Sequence, residues 1–460
     1  MQEYTHEARE QSGRKARERC SRVAQADWNP KLRKSKPIDI LNHSEKGRVP
    51  SLLPEKHKRM LVSPFAYYRG SATVMAADLS LLPNTGLIAQ LCGDAHAYNL
   101  GSFAGLDGHI IFDINDYDET IPGPWEWDVK RMAASLVLVG RESGASDDGC
   151  KVAVLSFVRR YRETMRELSQ MPVVELARYQ VLRHPERTAI APVLRRAQLS
   201  TNRQAFAKLA KRQNGSYVFK QSRVSSAVAA KVKQAIHDYS LSLLPERRHF
   251  LEQYRIADVG FRVVGCGSVG MRDYVALMLA GAEDPLFLQV KEEGRSCYAV
   301  YLPDAQVPEN QGQRAAEGQR AMQLQSDIFL GWTTFDGRDY LVRQLRDHKA
   351  SIADKELRGR GLEQYAEVCA ELLAKGHARS GDSCALFGYM STSPKFDKAI
   401  AKFALAYADQ ITQDYEAYKR ALGGREKKTG PPPSGAKAGE ARAKASKKQK
   451  KAKSAASPAR

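Results

Sequence analysis

The rhythm of apolar and polar positions changes three times along the chain. Residues 1–60 are polar and charged, helix-forming in places but without a sustained apolar face. Over residues 86–118 short apolar runs alternate with polar turns: GLIAQLC, GDAHAYN, LGSF, AGLDG, HIIFDIN. Such runs, bounded by glycine- and aspartate-rich turns, predict three strands. From about residue 125 to 251 the spacing is helical, in WEWDVKRMAASLVLVGRES, VAVLSFVRRYRETMREL and VSSAVAAKVKQAIHDYSLSL. Past Tyr254 the pattern returns to β. IADVGFRVVGCGSVGMRDYVALMLAG predicts a hairpin bent at its glycines, and PLFLQVKEE a strand that carries Lys291. A helical stretch, GQRAAEGQRAMQLQSDIFLGW, precedes two short strands, WTTFDG and DYLVRQL. Two helices close the pattern, one from GLEQYAEVCAELLAKGHARSGD and one over residues 394–422. No internal repeat is visible.

Composition changes this picture at the ends. The chain has 460 residues, 43% of them hydrophobic, enough for a sizeable core, and a net charge of +20. Half of that charge lies in residues 425–460, where twelve Lys or Arg face two Glu. This tail has no aromatic or large aliphatic residue, so it cannot offset the entropy of ordering and is expected to be disordered. It is either a solubilising tail or a polyanion-binding arm. The seven cysteines are scattered, without a C-x-x-C pair, which argues against a disulfide framework or a zinc site. The N-terminus is charged throughout, and no window approaches the roughly 18 apolar residues of a membrane helix, so a cytoplasmic protein without a membrane span is expected. Oligomeric state is not legible.

Two stretches carry chemistry. GCGSVG places Gly265, Gly267, Ser268 and Gly270 between two β runs, where backbone N–H groups can approach phosphate oxygens. The third glycine opens no helix, which speaks against a dinucleotide-binding turn. Lys291 follows on the next strand, and a glycine-rich hairpin before a strand-borne lysine is the protein-kinase arrangement for nucleotide phosphates. That arrangement needs a carboxylate on a following helix. Glu317 is the central candidate and Glu309 the less central one. No D-x-x-x-x-N loop follows; the cluster His377, Arg379 and Asp382 reads as structural. The loop occurs earlier instead, as Asp94 and Asn99 in GDAHAYN. Asp94 would orient the acceptor hydroxyl or take its proton, and Asn99 would reach a metal ion. One hairpin later, INDYDET and the residue before it supply Asp113, Asp116 and Asp118, suited to Mg²⁺.

The run GDAHAYN…INDYDETIPGPWEWDVKR resembles the aminoglycoside and choline phosphotransferase branch of the kinase-like superfamily. That branch carries a G-D-x-H-x-x-N loop, a metal turn and an aromatic-Asp helix start. The resemblance implies ATP and Mg²⁺ as cofactors, Asp116 as the metal ligand and Asp113 as a strand-end residue of open role. It also implies that Asp128 hydrogen-bonds the catalytic-loop backbone. His96 could be a ligand or base, whereas in the resembling loops it stabilises the loop. Trp125 and Trp127 are expected to pack beneath the site, and Arg69 to contact phosphate or acceptor or to form a structural ion pair. From residue 59 to 422 the chain also resembles an uncharacterised bacterial family, domain of unknown function 2252, through SPFAYYRG, GDAHAYN, FDINDYDE, GPWEWDVKR, GSVG, LQVKE and HARSGD.

The expected fold is therefore α+β: a bilobal kinase-like arrangement in circularly permuted order, with a helical C-lobe and a small antiparallel-sheet N-lobe. The expected divisions are a basic segment 1–58, a C-lobe-like part 59–255, an N-lobe-like sheet 256–346, a helical return 347–422 and the tail 423–460. Acceptor pockets are expected among the helices of residues 147–251. The expected function is ATP- and Mg²⁺-dependent phosphoryl transfer to an unidentified small-molecule or protein acceptor. Transfer of AMP is a close variant, and non-catalytic nucleotide or nucleic-acid binding is a separate class. A metallophosphoesterase is less favoured, because G-N-H and H-x-H are both missing.

Overall fold

The computed structural model describes residues 5–105, 107–181, 189–221, 224–263, 265–281, 284–345 and 348–426, without the side chains of 423–426. The basic tail thus lies, from residue 427, outside the described residues. Two compact units are present, Met1–Tyr415 and Glu416–Arg460. Everything below concerns the first.

The chain is mixed α+β with small antiparallel sheets. In chain order the strands are β1 Ile88–Leu91, β2 Leu100–Ala104, β3 Ile110–Ile114, β4 Ile121–Pro124, β5 Ala210–Gln213, β6 Ser216–Phe219, β7 Arg255–Phe261, β8 Asp273–Ala280, β9 Asp284–Glu293, β10 Gly331–Phe335 and β11 Arg338–Gln344. The largest sheet has the order β10-β11-β9-β8-β7. Its side-chain alternation explains how it is covered. Tyr274, Ala276, Met278, Leu286, Leu288, Val290, Tyr340 and Val342 share one face and pack on Val232, Ile236 and Tyr239 of helix Ser226–Ser240. The opposite face is apolar at one end, where Val275, Leu277 and Phe287 meet Phe219. At its other end it is polar: Asp273 pairs in register with Lys291, and Arg343 with Gln289. Helix Gln311–Met322 covers Leu341 with Ala315 and Ala316. Gly312 lets it approach, because a Cβ there would lie 2.2 Å from the Tyr340 carbonyl oxygen.

The strands expected over residues 86–118 form two ribbons. β2 pairs with β3, whereas β1 pairs with β4, a strand too short and proline-rich to stand out in the sequence. Hairpin β5–β6 interrupts a stretch expected to be helical. Its turn is Asn214-Gly215, both with positive φ (51° and 79°), the strongest short hairpin signal a sequence can carry. Helices Glu126–Glu142, Asp147–Ser169 and Arg360–Ser380 build the helical part, with Trp125 stacked on Tyr161 at 5.6 Å.

Of the basic segment 1–58, residues 5–58 are described and are built into the compact unit. Helix His6–Arg19 lies so close to helix Ser383–Met390 that a Cβ on Gly13 would fall 1.9 Å from the Ala385 carbonyl oxygen. Arg33 donates to Asp78 at 2.6 Å and to Asp414 at 2.8 Å, all three largely buried. Among the described residues no helix is long and apolar enough to cross a membrane.

Candidate functional site

The loop between β1 and β2 turns at Gly93, with φ +84° and no room for a side chain: a Cβ would lie 2.2 Å from the Glu119 carbonyl oxygen. Loop 92–99 and turn 115–120 are thereby pressed together, and Asn115 N–H donates to Asn99 O at 2.8 Å. Asp128, on the first turn of helix Glu126–Glu142, accepts the N–H groups of Cys92 (2.7 Å) and Gly93 (3.1 Å). Its other neighbour is His377, at 3.4 Å, which also meets Tyr161 Oη at 2.7 Å.

Asp94 faces Arg131, a fully buried guanidinium whose Nε donates to Asp94 Oδ1 at 2.9 Å while Nη2 meets the same oxygen. Burial pushes the Asp94 carboxyl up, and the Arg131 charge opposes that. Arg131 is itself fixed over the Tyr68 ring at 4.4 Å, and Tyr68 Oη donates to Arg131 O at 2.7 Å. His96 is buried; Tyr98 N–H donates to its Nδ1 at 3.1 Å, and Nε2 stands 3.7 Å from Asp94 Oδ2. Burial and the Arg69 and Arg131 charges hold its pKa well below the usual range, so the ring is neutral. Asn99 Nδ2 donates to Asp94 O at 2.6 Å, which leaves the amide oxygen as the atom able to ligate.

Lys291 is buried at the polar end of β9. Its Nζ is ion-paired with Asp118 Oδ2, 3.6 Å from Asp116 Oδ1 and 4.0 Å from Glu293 Oε1. Burial alone would raise Asp118; the Lys291 charge, with hydrogen bonds to Asp116 and Lys291 and the Arg343 charge, together outweigh it, and the carboxyl titrates below the usual range. Asp116 goes the other way, raised by burial and by the Asp118 charge. Glu293 is pushed well up by burial and Asp118. Buried oxygens of all three, Asp116 Oδ1, Asp118 Oδ1 and Glu293 Oε1, lack a hydrogen-bond partner. Lys349, also within electrostatic reach of Asp116, is lowered to about 7 by burial and the Arg343 charge.

Two expected residues lie elsewhere. Asp113 is not at the metal turn: it is 1% exposed and ion-paired with buried Lys375 of helix Arg360–Ser380. It ends β3 on the inward side, and a lone buried carboxylate requires such a partner. Glu317 does not meet Lys291. It is exposed and accepts from Gln313 at 2.7 Å, because the helix phase turns Arg314 inward instead. Arg314 donates to the carbonyls of Thr120 (2.7 Å), Asp118 (2.8 Å) and Gly294 (2.9 Å), clamping the acidic turn to the sheet. Glu309 is exposed as well. Asp382 caps helix Ser383–Met390 and pairs with Arg9 at 2.9 Å.

The glycine-rich loop reaches back to the N-terminal helices. Arg48 donates to Gly267 O at 2.7 Å and Val269 O at 2.6 Å, and Arg59 to Gly265 O at 2.7 Å. Gly270 has φ +96°, and a Cβ there would touch Arg48 Cβ at 3.0 Å. Gly265, Gly267 and Ser268 line a cavity of about 800 Å³ together with Asp94, Asn99 and Asp116. Helix Pro37–Ser44 lines it too, and none of its lining residues comes from 147–251, where acceptor contacts were expected. Lys291 and Gly270 instead border a small void of about 10 Å³ behind the loop.

Arg131, Arg314, Arg48, Glu293 and Lys375 were not singled out from the sequence. Arg131 had a signal, one helical turn after Asp128 in WEWDVKR, and so had Glu293, two residues after Lys291 on the same face of β9; Arg314, Arg48 and Lys375 meet the site across long sequence separations. Among the described residues no group of three or more His, Cys, Asp or Glu is arranged to hold a metal ion. Neither a curated protein nor a solved structure matches the chain significantly. Residues 48–421 match the model of a family described as an uncharacterized protein conserved in bacteria, domain of unknown function 2252, and the chain belongs to that family.

Proposed function

We propose that the protein is an ATP- and Mg²⁺-dependent phosphotransferase of kinase-like, circularly permuted design. One observation carries the reading. Loop 93–99 and the glycine-rich loop, about 170 residues apart in sequence, open on one cavity, and Lys291 stands 3.6 Å from Asp116 beside it.

Two carboxylates fit Mg²⁺, which takes one or two protein carboxylates and completes its shell with water and substrate phosphates. Asp116 and Asp118 would hold it, with the Asn99 amide oxygen; their unpartnered buried oxygens support this. The ion would supply charge neutralisation between the phosphates. Lys291 would contact the phosphates, held in place by Asp118 and Glu293 rather than by a helix carboxylate. Three carbonyls of the glycine-rich loop are committed to arginines, which fixes the loop, and its backbone N–H groups would meet phosphate oxygens. Asp94, with Oδ1 on Arg131, would present Oδ2 to an acceptor hydroxyl. Positioning and charge stabilisation account for the rate, without a covalent intermediate.

The test is calorimetric titration of Mg·ATP into the full-length protein. Binding is expected, weakened at least tenfold by Lys291→Ala or Asp116→Ala; no heat at millimolar nucleotide overturns the reading. Labelled ATP then separates transfer of phosphate from transfer of AMP by the group left on the product. A second reading, nucleotide binding without transfer, is favoured by the ion pair that Asp94 already makes with buried Arg131. It predicts binding without any labelled product.

A further inference from the structure

We propose that the cavity holds an anion site built on Arg69, and that the acceptor is therefore a hydroxyl compound carrying a phosphate or carboxylate group. The acceptor's identity rests on the phosphotransferase reading; the anion site does not.

Arg69 ends the YYR run of helix Pro64–Gly70 and lines the cavity with Asp94, His96 and Asn99. Its guanidinium lies over the Tyr98 ring at 5.5 Å, which restricts its position without neutralising it. Nε is buried and has no hydrogen-bond partner, and no carboxylate stands within ion-pair distance among the described residues. Four of the acids that line the cavity are committed elsewhere. Asp94 is held by Arg131 and Asp118 by Lys291. Glu292 takes Arg272 at 3.0 Å and Arg338 at 2.8 Å, and Glu119 accepts the Cys297 N–H at 2.6 Å. Arg48 lines the same wall, but its donors go to carbonyls and the charges of Glu119, Glu45, Asp118 and Glu292 surround it, so Arg69 is the cation left to a ligand.

The consequence for a ligand is a matter of sign. A cationic acceptor would meet the Arg69 guanidinium on this wall. A neutral one would leave a partly desolvated Arg69 without a counter-ion. A phosphate or carboxylate accepts from its planar fork in the geometry guanidinium groups favour. Its hydroxyl could then lie at Asp94 while the body of the molecule rests against Ile40, Val300 and Tyr301, which line the same cavity.

The probe is inorganic phosphate, titrated calorimetrically into the full-length protein beside Mg·ADP. Phosphate is expected to bind in the millimolar range. Arg69→Gln should weaken it at least tenfold and leave Mg·ADP within about twofold, while Arg69→Lys, which keeps the charge but not the planar fork, should retain part of the binding. Lys291→Met should do the reverse, losing Mg·ADP and keeping phosphate. If wild type binds no phosphate, or if Arg69→Gln leaves binding intact while Lys291→Met abolishes it, the anion site is overturned. Equal loss in Arg69→Gln and Arg69→Lys, with lowered melting temperatures, shows a structural role and also overturns it. Arg69-dependent phosphate binding without any Mg·ADP binding keeps the anion site and removes the phosphotransferase reading.

Discussion

Asp273 shows how a buried charge is made tolerable beside the site. It is 4% exposed, opposite Lys291 in register, and Gln289 Nε2 donates to both of its oxygens at 3.0 and 2.9 Å. Burial still wins over these hydrogen bonds and the nearby Lys291 charge, raising the carboxyl to about 6. In the unfolded chain it titrates near ~3.9. Between those values the folded state binds more protons, so this group's contribution to stability is fully present below pH ~4 and lost as pH rises to about 6. The loss is at most about 3 kcal/mol, the shift converted at ~1.4 kcal/mol per unit. Asp273→Asn should therefore be more stable than wild type above pH 6, by about 1–3 kcal/mol, with the gap closing below pH 4. Urea unfolding across pH 4–8 measures this, and a gap independent of pH would refute it.

Helix Gln311–Met322 was expected from its residue pattern, yet the residue it offers the site depends on its rotation about its own axis. Gly312 sets that rotation by letting the helix touch the sheet backbone at Tyr340. Gly312→Ala should push the helix off, costing about 1–3 kcal/mol. It should also weaken Mg·ATP binding, because Arg314 then loses its three carbonyl partners at the acidic turn. Glu317→Ala is the contrasting change. An exposed residue that accepts from Gln313 and faces Arg320 on the helix surface should alter stability by less than about 0.5 kcal/mol and leave nucleotide affinity untouched. A large loss of affinity in Glu317→Ala would restore it as the partner of Lys291.

Over the compact unit, charges far apart in sequence hold distant segments together. Arg33 joins Asp78 to Asp414, and burial raises Asp78 even with that partner in place. Arg33→Met would leave two buried carboxylates facing each other, a loss of about 3–5 kcal/mol by urea unfolding at pH 7. Truncation after Gly424 probes the basic tail instead. It removes the twelve cationic residues of 425–460 and should abolish salt-sensitive binding to heparin or RNA while leaving Mg·ATP affinity unchanged. Retained polyanion binding would move that surface onto residues 1–424.

The residue pattern by itself determined most elements. Strands β1 to β3, the glycine-bent hairpin β7–β8, strand β9 with Lys291 and the long helices all follow from local periodicity and turn chemistry, which act over a few neighbouring residues. The Asn-Gly turn of β5–β6 was equally local and stood in plain view. Spacing also marked Asp94, Asn99, Asp116 and Asp128 as one cluster of polar positions. Only the tertiary structure decided how each was used. It gave Asp113 to Lys375, turned Glu317 outward and Arg314 inward, and placed Arg131 on Asp94. The physical reason is that a carboxylate's role depends on which cation reaches it through a low-dielectric interior. That cation comes from a segment whose distance in sequence carries no information about distance in space.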